Sequence, residues 1–184
     1  KHYPKVTLDV SLTDQLSAFN QDDVDIAIRG GYAPNERVVA VKLMRNDFYP
    51  VAAQSYLDRA DTPTHPFELK SHRGLFFQSP TGPTPWLCFV DNQWHDVSGK
   101  PVLLSNSGHW LVDRAVKGEG ILMLPKWVTQ PFLDSGALQE IHFDTPVNIT
   151  QQADFGVFLL YQKQRYLVPK IKAAVDFIVS ELKV

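Results

Sequence analysis

Two apolar segments that adjoin glycines decide the fold class of this chain, DVDIAIRGG at residues 23–31 and VKGEGILMLP at residues 116–125. In the first segment, apolar side chains fall on both sides of a strand, which is typical of a strand that a parallel sheet buries on both faces. In the second, a glycine turn leads into the apolar run ILML, which predicts another buried strand. Both strands adjoin glycines at places where a small ligand can approach the backbone.

Arg29 comes directly after the first of these strands and before two glycines. The carboxyl ends of strands in open α/β sheets line a ligand crevice, and the planar guanidinium group suits a carboxylate or another oxyanion. Arg29 is therefore a candidate ligand contact. An ordinary surface arginine held by an ion pair is the alternative.

The second segment is preceded by a predicted helix at residues 109–117. Asn106 and Ser107 are its candidate N-caps, and Gly118 is its candidate C-cap. Free backbone donors at a helix start suit an anion or a polar ligand, so the stretch Asn106, Ser107, Gly108 is a second candidate contact. A capped helix without a ligand is the alternative.

Alternating strands and helices along the chain predict an α/β protein. Apolar and polar residues alternate over residues 6–12, which predicts a strand, followed by a short helix that begins at Ser11 or Thr13 and then by the strand at residues 24–28. Such a unit is expected to form a right-handed parallel crossover. The chain ends with an apolar strand at residues 155–161 and an amphipathic helix that begins at Pro169.

Composition narrows the function classes. The net charge of −2 shows that basic residues are not in excess, so residues other than these would have to provide any nucleic-acid binding. Cys88 is the single cysteine, so no intrachain disulfide is expected and a reducing, cytoplasmic setting fits. No stretch reaches the roughly 18 apolar residues of a membrane span, so no membrane association is expected.

The sequence shows no constellation typical of catalysis. The six histidines lack metal-ligand spacing, no GxSxG motif is present, and a strand follows Gly118 and Gly120 where a dinucleotide site needs a helix. Cys88 lies between two apolar residues, which indicates a buried thiol. We therefore expect no catalytic residue, no metal and no cofactor, and we favour a binding function.

Taken in order, the segments resemble the effector-binding domain of LysR-type transcriptional regulators. The resemblance covers nearly the whole chain, and its order and spacing carry it more than any single motif does. The matching segments include YPKVTLDV (3–10), DVDIAIRGG (23–31), VVAVKLMRNDFYPVAAQSYL (38–57), GPTPW (82–86), VKGEGILMLP (116–125) and FLLYQKQRYLVPKIKAAVDFI (158–178).

The resemblance implies two Rossmann-like lobes joined by two crossing strands, similar to type 2 periplasmic binding proteins, with a small effector bound in the cleft. The first lobe would comprise residues 1–50 and 147–184, and the second residues 51–146. It also implies a homodimer or homotetramer, and contact with promoter DNA through an amino-terminal winged helix-turn-helix that this chain lacks. The family's domain opens with a further strand and most of a helix, which we expect to be missing here.

The resemblance also implies which residues face the effector. Physically they are hydroxyls, amides and one cation at the ends of strands and helices, which suits a small polar or anionic ligand. They are Ser11, Thr13, Arg29, Gln78, Ser79, Asn106 and Ser107.

Two other functions stay open from the sequence. A periplasmic-type solute-binding protein shares the two-lobed architecture, and an upstream signal peptide would favour it, whereas an upstream helix-turn-helix would favour a regulator. A small α/β enzyme is disfavoured by the missing nucleophile, metal and phosphate motifs.

Overall fold

The computed structural model describes residues 3–4, 6–12, 24–33 and 38–182, and it divides into two compact units, Lys1–Asn46 with Asp154–Val184 and Asp47–Ala153. In chain order the strands are β1 (Ile26–Gly31), β2 (Val38–Arg45), β3 (Phe48–Ala52), β4 (Arg73–Ser79), β5 (Gly82–Pro83), β6 (Leu87–Val90), β7 (Gln93–Asp96), β8 (Lys100–Ser105), β9 (Ile121–Pro125), β10 (Gln139–Glu140), β11 (Val147–Asn148) and β12 (Gly156–Gln162). The α-helices are α1 (Gln54–Ala60), α2 (Gly108–Val116), α3 (Lys126–Asp134) and α4 (Pro169–Leu182), and 3₁₀ helices span Pro66–Ser71 and Arg165–Leu167. Of the helices in these ranges, none has the length and apolar character needed to cross a bilayer.

The first unit is built on a three-stranded antiparallel sheet with the strand order β1, β12, β2. The central strand β12 is buried along nearly its whole length, which explains its continuous apolar sequence. Helix α4 packs Ile171 and Val175 against Val157 and Leu159 of this strand. The predicted terminal strand and the predicted helix that begins at Pro169 are therefore confirmed.

The predicted strand at residues 6–12 is wrong. These residues belong to no strand, and Leu8, Val10 and Leu12 are exposed. Because residues 6–12 form no strand, the expected parallel crossover from this segment to β1 is not observed among the described residues. β1 pairs antiparallel with β12. Alternation favours an extended segment, but a strand also needs a neighbour with free backbone groups. The predicted helix that would begin at Thr13 lies outside the described residues.

The second unit is built on a mixed sheet in which β4 runs parallel to both of its long neighbours, β8 and β9. β3 joins β9 in an antiparallel pair, and β10 joins β3. A smaller antiparallel sheet contains β11, β6 and β7. The parallel arrangement matters for function because it gathers the carboxyl ends of neighbouring strands at one edge.

The mixed sheet is covered on both faces, so β9 is buried along its whole length, as predicted for residues 121–124. Ile121 and Met123 face a core that contains Trp86 and Phe76, stacked with their ring centroids 4.6 Å apart. The alternate residues of β9 face the core beneath α2, which contains Leu75, Leu111, Val112, Ala115, Leu122 and Leu124.

Helix α2 is capped at both ends as the sequence predicts. Ser107 is its N-cap, and its hydroxyl oxygen accepts a hydrogen bond from the amide of Trp110 over 3.4 Å. At the other end, the amide of Gly118 bonds to the carbonyl of Ala115, and that of Glu119 bonds to the carbonyl of Arg114. This pair of bonds is a Schellman motif with a left-handed residue, Gly118 at φ 73°.

A buried hydrogen-bonded pair lies beside the start of β4. The Tyr56 hydroxyl accepts a hydrogen bond of 3.0 Å from the amide of Arg73, and its oxygen lies 3.1 Å from His72 Nδ1. With its proton on Nε2, the His72 ring accepts from the hydroxyl at Nδ1. Burial lowers the pKa of His72, because the charged ring would lose hydration.

Gly118→Ala should destabilise the protein more than Gly136→Ala. Both glycines have φ 73°, so alanine strains the backbone equally, by about 1–2 kcal/mol. A Cβ at Gly118 would lie 2.7 Å from Ser55 Oγ, whereas one at Gly136 would meet nothing within 4 Å. Urea unfolding should therefore show an additional loss of about 1 kcal/mol or more for Gly118→Ala. Equal losses would contradict the close approach of this turn to α1.

His72 should make the stability of the fold depend on pH. The pKa of His72 is lowered in the folded state, so the fold favours the neutral ring. The contribution of His72 to the free energy of unfolding is therefore present above the ordinary histidine pKa of about 6.5 and is lost as the pH falls below it. Denaturant unfolding of wild type and His72→Phe should show a flatter pH dependence for the variant. His109→Gln removes an exposed histidine and is the control. An unchanged pH dependence in His72→Phe would contradict the assignment.

Candidate functional site

The structure brings four of the predicted site residues together at one edge of the mixed sheet. Phe77 in β4 pairs with Ser105 in β8, so the residues that follow them emerge side by side. These are Gln78 and Ser79 on one strand and Asn106 and Ser107 on the other. We call this region, residues 77–79 and 105–109, the carboxyl edge. Strand ends of this kind are where open α/β sheets bind ligands.

The start of α2 offers unused hydrogen-bond donors at the carboxyl edge. The amides of Ser107, Trp110 and Leu111 are bonded to Ser105 Oγ, Ser107 Oγ and the Ser107 carbonyl. The amides of Gly108 and His109 bond to no other group in the described part of the chain. Two backbone donors at the positive end of a nine-residue helix favour an anionic or polar oxygen atom.

The side chains next to these donors differ in their availability. Asn106 is exposed, and its amide bonds to no described residue. Gln78 donates to the carbonyl of Ser79 over 3.2 Å. The Ser79 hydroxyl, by contrast, donates to the Gly82 carbonyl over 2.8 Å and accepts from the amide of Thr81 over 3.3 Å, so it shapes the turn into β5. The Ser79 hydroxyl is thus engaged in the turn, whereas the Asn106 side chain, which bonds to no described residue, remains available to a ligand.

Arg29 lies in the first unit as the fourth residue of β1, where it pairs with Phe158. The sequence pattern places Arg29 directly after this strand. In the structure the strand continues through Gly31, so Arg29 lies within the strand, before its end. Its guanidinium group forms no ion pair with the described residues, so the alternative of an ion-paired surface arginine is not observed. A half-buried guanidinium group can bind a carboxylate in a bidentate manner.

The other two predicted residues of the first unit are not placed at a site. Ser11 is exposed and lies in no helix or strand, so the structure does not place it at a helix start. Thr13 lies outside the described residues. Its role stays a prediction.

Sequence reasoning missed one buried polar residue near β1. Asn46 follows β2, is 4% exposed, and would lie 2.8 Å from a Cβ built on Gly30. The backbone amide of Asn46 donates to the carbonyl of Phe155 over 3.3 Å. The signal available in the sequence was weak, since Asn46 stands between two predicted strands where a turn residue is ordinary. The backbone bond of Asn46 thus joins the end of β2 to the residue before β12, and its side chain lies beside Gly30 of β1.

Trp86 and Cys88 pack in the core. Trp86 is buried in the core, and Cys88 is fully buried, with desolvation raising the pKa of its thiol. A protonated buried thiol is a poor nucleophile. Among the described residues, no group of three or more histidine, cysteine, aspartate or glutamate side chains is arranged to hold a metal ion.

Two curated relatives are similar over almost the whole chain. An HTH-type transcriptional regulator of Xanthomonas campestris pv. campestris is 27% identical over 98% of this chain and 52% of its own length. The HTH-type transcriptional activator TtdR of Escherichia coli is 27% identical over 98% of this chain and 56% of its length. The chain thus spans about half the length of these relatives.

Two solved structures have the same fold. Full-length AphB of Vibrio cholerae, described as a virulence activator of the LTTR family, superposes with a TM-score of 0.82 at 21% identity, over 98% of this chain and 60% of that protein. The regulatory domain of CrgA from Neisseria meningitidis, a LysR-type transcriptional regulator, superposes with a TM-score of 0.71 at 25% identity, over 86% and 76%. The predicted two-lobed fold of the type 2 periplasmic binding proteins is confirmed.

The profile of the LysR substrate binding domain matches residues 1–183, which is nearly the entire chain. The match agrees with the family that the sequence segments resemble. The chain belongs to the LysR substrate binding domain family.

Proposed function

We propose that this chain is the effector-sensing domain of a LysR-type transcriptional regulator and binds a small polar or anionic effector in the cleft between its two lobes. The lobes would comprise residues 1–50 with 147–184 and residues 51–146. The observation that carries the proposal is the pair of amides of Gly108 and His109 at the carboxyl edge, next to the side chain of Asn106, none of which bonds to a group in the described part of the chain.

The chemistry of the free donors favours the ligand class. Backbone amides at a helix start attract oxygen atoms that carry negative charge, and so does the guanidinium group of Arg29, which forms no ion pair with the described residues. A hydrogen bond to a charged group contributes about 1.5–3 kcal/mol, so each such contact changes affinity by about tenfold or more. A carboxylate-bearing metabolite is the simplest effector that uses both Arg29 and the start of α2.

The names of the relatives support regulation over transport or catalysis. They are HTH-type transcriptional regulators, and this chain covers about half of their length. We propose that the whole protein also contains a winged helix-turn-helix that contacts promoter DNA, that it works in the cytoplasm as a homodimer or homotetramer, and that it is not an enzyme. Effector binding would then change transcription by favouring one arrangement of the subunits.

The proposal is tested at Gly108, where two substitutions separate the donor from the side chain. Gly108→Pro removes the amide donor, yet proline is favoured at the first position of a helix. The preceding residue, Ser107, already has the extended conformation that proline requires, with φ −97° and ψ 104°. Gly108→Ala keeps the donor, and its Cβ would make only ordinary contacts, the nearest at 3.8 Å to Leu124.

A thermal-shift screen of wild type against small carboxylates, amino acids and aromatic metabolites should identify a ligand that raises Tm. Gly108→Pro should fold with an unchanged or higher Tm and lose about tenfold or more in affinity, whereas Gly108→Ala should retain binding. Arg29→Gln should weaken the same ligand. An effector bound equally well by wild type, Gly108→Pro and Arg29→Gln would contradict the proposed site.

A further inference from the structure

The opposite edge of the same sheet carries a depression with a polar lining, of about 440 Å³. It lies where β4 and β9 begin, at Arg73 and Ile121, so the length of the strands separates it from the carboxyl edge. We call it the basic pocket, and its polar lining residues are Tyr56, Arg59, Arg73, Lys117, Gly118 and Glu119. None of these residues belongs to the effector site proposed above.

Three cations and one carboxylate surround the basic pocket. Arg59 comes from α1, Arg73 begins β4, and Lys117 follows α2. Within the described part of the chain, none of the three forms an ion pair. The Glu119 carboxylate lies 3.4 Å from Arg114 Nη1 and is therefore engaged outside this set. Among the described residues, the pocket thus has more positive than negative charge, and its three cations form no ion pair.

Both guanidinium groups are held in place by the turn that closes α2. Arg59 Nη2 donates to the Gly118 carbonyl over 2.8 Å, and Arg73 Nε donates to the Glu119 carbonyl over 2.9 Å. Each bond uses one of the five N–H donors of an arginine, so the remaining donors stay available in a fixed plane. The two guanidinium groups are therefore pre-organised, which lowers the entropic cost of binding an anion.

The surrounding backbone is packed tightly enough to keep this arrangement. Gly118 approaches α1 so closely that a Cβ there would lie 2.7 Å from Ser55 Oγ and 3.3 Å from Arg59 Nη2. A Cβ at Gly120 would lie 2.6 Å from the carbonyl of Arg73. The Tyr56 hydroxyl holds the amide of Arg73 from the other side. These contacts hold the backbones of Arg59 and Arg73, whose side chains are exposed.

Helix capping accounts for only part of this cluster. Arg59 lies in the last turn of α1 and Lys117 is the C-cap of α2, where cations interact favourably with the helix dipole. Arg73, however, begins a strand, and it pairs in register with Lys100, which adds another cation to the same edge. The two helix ends account for Arg59 and Lys117 and leave Arg73 unexplained.

We propose that the basic pocket binds a small oxyanion, a phosphate or a carboxylate group, through Arg59, Arg73 and Lys117. The planar forks of the arginines match the paired oxygens of such a group, and Lys117 supplies a further charge. This site is separate from the effector site and does not depend on it. It would let a second anion stabilise the turn between α2 and β9.

The test follows the backbone amide resonances of Gly118 and Glu119 while the protein is titrated with inorganic phosphate at constant ionic strength, balanced with sodium chloride. The shifts should saturate in wild type. Lys117→Gln should raise the half-saturating concentration about threefold or more, as expected for the loss of one partly screened charge. Arg73→Lys should also weaken binding, because it keeps the charge and loses the fork.

Lys163→Gln, in the turn after β12, removes one exposed charge elsewhere and should leave the titration unchanged. Arg29→Gln should also leave it unchanged, which separates this site from the proposed effector site. A parallel titration with sodium acetate decides the ligand class, since the anion with the lower half-saturating concentration is the preferred one. Shifts that do not saturate with either anion, or equal half-saturation in Lys117→Gln and Lys163→Gln, would overturn the proposal.

Discussion

Burial of the β4 and β9 strands on both faces is the constraint on which the second unit depends. Leu75 and Leu122 pack beneath α2, while Phe76 and Ile121 pack against the opposite core, so neither strand can slip by one residue without exposing a set of large apolar side chains. Because β4 runs parallel to β8 and β9, this register also fixes where the strands end. The carboxyl edge and the basic pocket are the two ends of one buried parallel arrangement.

Helix α2 connects these two ends. It begins at Gly108 with two amides that lack an acceptor in the described chain, and it ends at the Gly118 turn, whose carbonyl holds Arg59. Its buried stripe of Leu111, Val112 and Ala115 anchors it to the sheet between them. An anion at either end would therefore act on the same helix, at its positive end through backbone donors and at its other end through side-chain cations.

The sequence predicted the elements that are apolar on both faces or carry strong capping signals. Local composition and periodicity account for β9, β12, the Ser107 cap, the Gly118 turn and α4. It failed at residues 6–12, because alternation describes one strand and says nothing about a partner. Gln78 lies close to Asn106 because two strands pair. Strand pairing also determines the hydrogen bonds of the Ser79 hydroxyl and the burial of the Asn46 side chain. Such facts are set by tertiary contacts, so local patterns could not supply them.

The central claim is that the start of α2 receives the effector, and a crystal structure of the protein with an effector bound tests it most directly. We expect a ligand oxygen within about 2.7–3.2 Å of the amide nitrogen of Gly108 or His109. An effector bound on another surface, with both amides still without a partner, would contradict it.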